Sequence, residues 1–203
     1  MKFICIGKNY SEHIKEMGAE KPSEPVIFIK PDSSLIQKNN PFIIPSFSNK
    51  IHYEIEVLVL INKLGRHIKE KFSSKYYDKI TVGIDFTARD YQSELKKKGL
   101  PWEKSKAFDG SALVGEWRDK NSFKNLNNIE FYLLKNGEKV QYSNISKMLW
   151  GIDQLISHSS KFFTLKIGDV LFTGTPSGVG PVEKNDFLEG YLNGERLFSI
   201  KVK

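Results

Sequence analysis

The stretch His52-Tyr53-Glu54-Ile55-Glu56-Val57-Leu58-Val59-Leu60 constrains this chain more than any other. Its β-branched and aliphatic residues make a strand, and strand side chains alternate. Glu54 and Glu56 therefore share one face, roughly 7 Å apart. Leu58 and Leu60 continue that face, while Ile55, Val57 and Val59 fill the other, as in a strand buried on both sides. Two carboxylates so placed repel by about 2–3 kcal/mol at an effective dielectric of about 20, and desolvation adds to that. Two readings stand at this point. Either a hard divalent cation with oxygen ligands offsets the cost, or this end of the strand is exposed and the glutamates are solvated.

The rest of the chain builds a sheet around that strand. Lys2–Ile6, Val26–Ile29, Phe42–Ile44, Ile80–Phe86, Ala112–Trp117 and Val170–Thr173 are rich in Ile, Val and Phe, and Ile51–Ile61 reads as one long strand. Asn136-Gly137 and Asn193-Gly194 each separate two strand-like runs, and Asn-Gly supplies the positive φ angles of a type I′ hairpin. Helices are predicted over Asn9–Met17, Thr87–Lys98 and Ser146–Phe162, the last with Leu149, Ile152, Leu155 and Ile156 at helical spacing. At 203 residues, with 39% hydrophobic and 27% charged, the chain has enough apolar material for a core. The expectation is one α+β, mainly β domain over residues 1–203.

Composition also narrows the function. Cys5 is the single cysteine, which excludes an internal disulfide or a Cys-rich zinc site, and its apolar neighbours make it a buried strand thiol. The apolar runs are too short to span a bilayer, and the N-terminus lacks a signal-peptide pattern, so a cytoplasmic location is expected. The net charge of +7 comes from lysines scattered among acids, without a nucleic-acid motif or an aromatic-interleaved basic stripe. It suits attraction of small anions instead.

Several other residues carry chemistry. Asp85 ends a strand just before a helix, where it is either a third oxygen ligand or a helix N-cap. Oxygen-only ligands favour Mg²⁺, with Mn²⁺ or Ca²⁺ as alternatives, over zinc. His13 and Glu16 are three apart on a helix, which makes them neighbours: a surface pair, or an imidazole whose basicity a carboxylate raises. Gly174-Thr175-Pro176-Ser177-Gly178-Val179-Gly180 leaves a strand as a glycine-rich loop able to hold an anion, and it lacks the lysine of a P-loop.

Taken in order, these tracts resemble the fumarylacetoacetate hydrolase family, nearly end to end. The likeness rests on Gly7-Lys8-Asn9-Tyr10, Pro25–Pro31, His52–Glu56, Asp85–Gln92, Lys97–Trp102, Gly168-Asp169-Val170 and Thr173–Pro181. Lys97-Lys98-Gly99-Leu100-Pro101-Trp102 especially resembles the short single-domain acylpyruvases, which also act as oxaloacetate decarboxylases. The resemblance implies a β-sandwich roll with a few short helices, usually a homodimer. It implies a metal on Glu54, Glu56 and Asp85, a water-activating dyad of His13 and Glu16, and a catalytic Lys106. Arg89, Gln92 and Thr175 fall where the family contacts substrate, and Lys30 matches a Phe-x-Lys-Pro tract with no role assigned. The implied activity is Mg²⁺-dependent C–C hydrolysis of an acylpyruvate, a small anionic 2-oxo acid. Oxaloacetate decarboxylation and the isomerisation or tautomerisation of a related acid are the alternatives.

Overall fold

The computed structural model describes residues 1–203. In chain order the first strands are β1 (Lys2–Gly7), β2 (Val26–Pro31), β3 (Ile51–Tyr53), β4 (Ile55–Ile61), β5 (Tyr77–Asp85), β6 (Thr87–Ala88) and β7 (Ala112–Val114). There follow β8 (Arg118–Asp119), β9 (Glu130–Lys135), β10 (Glu138–Asn144), β11 (Val170–Phe172), β12 (Gly180–Pro181), β13 (Phe187–Leu192) and β14 (Glu195–Lys201). The helices are α1 (Ser11–Glu16), α2 (Glu70–Ser73), α3 (Arg89–Lys97), α4 (Glu103–Lys106) and α5 (Ile152–Phe162). None is long and apolar enough to cross a membrane. The α+β, mainly β class is the one the residue pattern implies.

The largest sheet has the order β2-β1-β11-β4-β5-β7, with β8 also paired to β5. Only β1 and β11 run parallel in it. A second sheet is ordered β10-β9-β13-β14, and a small third one β12-β3-β6. Val57 and Val59 on one face of β4 join Phe131, Leu133 and Leu188 of the second sheet in the main core. Leu58, on the other face, packs with Phe3, Cys5 and Phe172. Both faces of β4 are thus covered, as its sequence implies. The two Asn-Gly turns join β9 to β10 and β13 to β14 with positive φ at all four residues.

The long strand expected over Ile51–Ile61 is broken at Glu54. There the Ile55 N–H leaves the ladder and donates to Gln141 Oε1 at 2.9 Å, while the Glu54 carbonyl accepts from Asp85 N at 2.9 Å. The chain passes at that point from the small sheet into the large one. Phe42–Ile44 is no strand: Pro41 and Pro45 flank it, Phe42 makes one isolated bridge to Val202, and its ring stacks on Phe86. Thr87 and Ala88 pair with β3, so the third helix starts at Arg89 rather than Thr87. The last helix starts at Ile152, behind Gly151, and excludes Leu149.

Candidate active site

Pairing of β4 with β5 sets Ile55 opposite Ile84 and Glu56 opposite Gly83, which carries Asp85 to the corner at Glu54. One carboxylate oxygen from each of Glu54, Glu56 and Asp85 lies within 4.8 Å of the other two. The residues are 4%, 2% and 0% exposed, so the solvated-strand reading of the glutamates does not hold. Nor does Asp85 cap a helix, since the N-cap of α3 is Ala88 and makes no side-chain cap bond.

Three cations surround these three acids. Lys106 Nζ donates to Glu54 Oε2 at 2.8 Å, Asp85 Oδ2 at 2.7 Å and Thr87 Oγ1 at 2.6 Å. Arg89 pairs with Glu54 and donates to Gln92 Oε1 at 2.6 Å. Lys30, wholly buried, lies 2.7 Å from Asp85 Oδ1 and donates to Ser111 Oγ at 3.0 Å. Glu56 alone lacks a cation, and accepts instead from the Gly174 N–H at 2.6 Å. Gly174 has φ +103°, and a Cβ there would stand 2.7 Å from that of Asn9, so only glycine fits this donor position.

The ionisation of the corner follows from that layout. Burial works to raise the Glu54 carboxyl, but Lys106 and then Arg89 outweigh it and hold it below the ordinary range. Burial raises Glu56 too, and there Asp85 and Glu54 add to the shift, so its carboxyl stands well above the usual range. Burial works to lower the Lys106 ammonium, yet Asp85 and Glu54 raise it on balance. A buried carboxylate without a cation, beside two others, is the electrostatic signature of a site suited to a hard divalent cation. The all-oxygen donor set fits such an ion.

The second half of the site hangs on the chain leaving β1. Lys8 takes a left-handed φ of +59°. Asn9, buried, then ties the segment down: its amide donates to Trp150 O at 3.0 Å and Thr173 O at 2.8 Å and accepts from Trp150 N at 2.9 Å. On α1, His13 Nδ1 meets Glu16 Oε2 at 3.0 Å, and Glu16 Oε1 accepts from Gly178 N at 2.9 Å. A carboxylate only accepts, so Nδ1 is the donor in this bond, and the tautomer that this selects leaves the lone pair on Nε2. At 8% exposure His13 is more than half of a surface pair.

A cavity of about 460 Å³ joins both halves. Eight of the nine residues singled out by sequence line it, and the ninth, Glu16, stands behind His13. Gln141, on β10, was not legible in that way. A register shift between Lys139 and Gln141 turns it inward, where its amide donates to Thr175 Oγ1 at 2.9 Å and Pro176 O at 3.0 Å. With Ile55 N–H on its other end, it ties the glycine-rich loop to the Glu54 corner. One glutamine in a hairpin strand carries no periodic or motif signal that would have marked it.

A mainly β scaffold closing such a cavity over clustered acids, cations and an imidazole defines an enzyme. The fumarylacetoacetate (FAA) hydrolase C-terminal family matches residues 2–197, and the chain belongs to that family. It is 43% identical to the oxaloacetate tautomerase YcgM of Escherichia coli (strain K12), over 97% of this chain and 90% of that protein. It is 40% identical to the mitochondrial oxaloacetate decarboxylase of Dictyostelium discoideum, over 95% of this chain and 89% of the relative. The crystal structure of fumarylpyruvate hydrolase from Pseudomonas aeruginosa in complex with Mn²⁺ and pyruvate aligns with a TM-score of 0.93 at 34% identity. The alignment covers 100% of this chain and 89% of that one.

Proposed function

We propose that this enzyme cleaves the C–C bond of an acylpyruvate, adding water to release a carboxylic acid and pyruvate. Glu54, Glu56 and Asp85 would hold one Mg²⁺, and Mn²⁺ would fit the same oxygen donors. Bound there, the cation would supply Lewis acidity to the 2-oxo-carboxylate end of the substrate. Arg89, Gln92 and Thr175 orient that end. His13 Nε2 takes a proton from a water aimed at the distal carbonyl, with Glu16 fixing the ring and steadying the imidazolium that results. Lys106, held beside Glu54 and Asp85, would stabilise negative charge on the substrate oxygens. The observation that carries this reading is the Glu16 bridge from His13 Nδ1 to the Gly178 N–H, which leaves Nε2 basic in the cavity of the three acids.

Oxaloacetate is the second reading, favoured by the 43% identity to an oxaloacetate tautomerase. Its decarboxylation needs no water, and its tautomerisation needs only a proton moved from C3 to the keto oxygen, for which His13 is placed as the base. Turnover of acetylpyruvate, fumarylpyruvate and oxaloacetate, with Mg²⁺ and with chelator, separates the readings. Mg²⁺-dependent release of pyruvate from an acylpyruvate supports hydrolysis; turnover of oxaloacetate alone supports the second reading. Full activity after exhaustive chelation overturns both.

A further inference from the structure

Of the three cations at the corner, Lys30 alone does not line the cavity. Its side chain is wholly buried on β2, where a charge is costly unless each proton finds an acceptor. All three do. Lys30 Nζ donates to Ser111 O at 3.1 Å, to Ser111 Oγ at 3.0 Å and to Lys106 O, with Phe86 O further off at 3.5 Å. Ser111 Oγ turns its own proton to Lys106 O at 2.9 Å, which leaves its lone pairs to the ammonium. Asp85 Oδ1 lies 2.7 Å from the same nitrogen yet accepts no hydrogen bond. Lys30 thus balances that carboxylate by charge and leaves the lone pairs of Oδ1 unshared.

The same ammonium joins the end of β5 to the end of α4 and the start of β7. Lys106 is therefore held twice, its carbonyl by Lys30 and its own ammonium by Glu54, Asp85 and Thr87. A buried positive charge against Asp85 also repels any divalent ion that Asp85 takes, and inside a protein such repulsion is only partly screened. We infer that Lys30 is a positioning residue and a fixed counter-charge: it aligns Asp85 with the Lys106 turn, and it holds down the affinity of the corner for a divalent cation. The inference rests on the reading that Glu54, Glu56 and Asp85 hold that cation. Removing the charge should then move affinity and turnover in opposite directions, whereas a lysine that served the fold alone would weaken both together.

Lys30→Met keeps most of the side chain's bulk and removes its charge. Mn²⁺ binding is followed by electron paramagnetic resonance in the natural protein, Lys30→Met and Ser111→Ala, with melts of chelated and Mn²⁺-loaded protein and turnover at saturating Mn²⁺. Lys30→Met should melt lower than the natural protein when chelated, bind Mn²⁺ roughly 10-fold more tightly, and gain more in melting temperature from it. Its turnover at saturation should fall by roughly 10–100-fold, the span of outer-shell partners of a metal. Ser111→Ala keeps the charge and loosens its seat, so Mn²⁺ affinity should stay and turnover should fall several-fold. That variant decides the positioning role where Lys30→Met does not fold, and an unchanged turnover in it overturns that role. Natural affinity and turnover in Lys30→Met, or parallel losses of both, overturn the counter-charge alone. Absence of Mn²⁺ binding in the natural protein overturns it together with the underlying reading.

Discussion

The carboxylate corner and the His13–Glu16 pair face one cavity but are held there by different means. Glu54, Glu56 and Asp85 belong to or border central strands, and the charges of Glu54 and Asp85 are met by side chains from β2, α3 and α4. His13 and Glu16 ride on a six-residue helix, tied down by Asn9 on one side and the Gly178 N–H on the other. The corner is built into the core and shares its stability, whereas the pair is a separable attachment. Charge at the corner therefore couples to folding and cation affinity. Changes to the pair should act on turnover and leave the fold intact.

The largest effect is expected at the corner. Glu56→Gln deletes a proposed cation ligand and should abolish turnover, well past the roughly 10–100-fold loss that outer-shell partners of a metal cost. The same variant should fold at least as stably as the natural sequence without metal, because it removes a carboxyl that burial, Asp85 and Glu54 make costly to ionise. Steady-state assays with thermal melts read both, and a Glu56→Gln protein that keeps its activity would take the strand corner out of the chemistry.

Next comes the pair. His13→Ala should slow acylpyruvate hydrolysis by about 10²–10⁴-fold, the span typical of general-base loss. Decarboxylation of oxaloacetate should fall less, since no water has to be activated. Equal losses on both substrates, in protein with an unshifted melt, would make His13 a positioning residue.

Gln141→Ala should produce a smaller effect on both regions, because that amide joins them. Leaving the Ile55 N–H buried without a partner should cost about 1–3 kcal/mol in denaturant unfolding. The freed Thr175 loop should raise KM more than it lowers kcat. A fully stable variant would mean that water replaces the amide at no cost.

Gln141 also marks the boundary of what sequence could tell. Alternation along His52–Leu60 placed both glutamates on one face of a buried strand, and the i, i+3 spacing placed His13 beside Glu16. Both signals are local, one per element, and the structure keeps them. The break at Glu54, by contrast, depends on the hydrogen bond that the Ile55 N–H donates to Gln141, 86 positions further on, whose inward turn depends on a bulge in another hairpin. No window of the chain contains that information. Helix α4 was missed because four residues show no apolar period, although it carries Lys106. The packing of Trp102 against Phe28 was likewise hidden, since the two come from segments far apart in sequence.

The smallest effect is one of pH on chelated protein. Burial, then Asp85 and Glu54, raise the Glu56 carboxyl well above its ordinary range. Unfolded, a glutamate ionises near ~4.3, so above that pH the native state retains a proton the unfolded chain has lost. This contribution to stability is complete below the ordinary range and is lost as pH rises toward the folded value. Glu54 is displaced the other way, so its contribution is complete above the ordinary range and is lost only in acid. From about pH 5 to about pH 8 the Glu56 slope should dominate these two. The melting temperature should drift down over that window, and Glu56→Gln should flatten the drift. An identical slope in the two proteins would remove Glu56 as its source.

Divalent-cation binding tests the division between the two regions most directly. Mn²⁺ is titrated into chelated natural protein, Glu56→Gln and His13→Ala, with bound ion counted by electron paramagnetic resonance. The expected result is one Mn²⁺ per chain in the natural protein and in His13→Ala, with none held tightly in Glu56→Gln. Tight binding that survives Glu56→Gln, or that disappears in His13→Ala, would contradict the assignment of the cation to the strand corner alone.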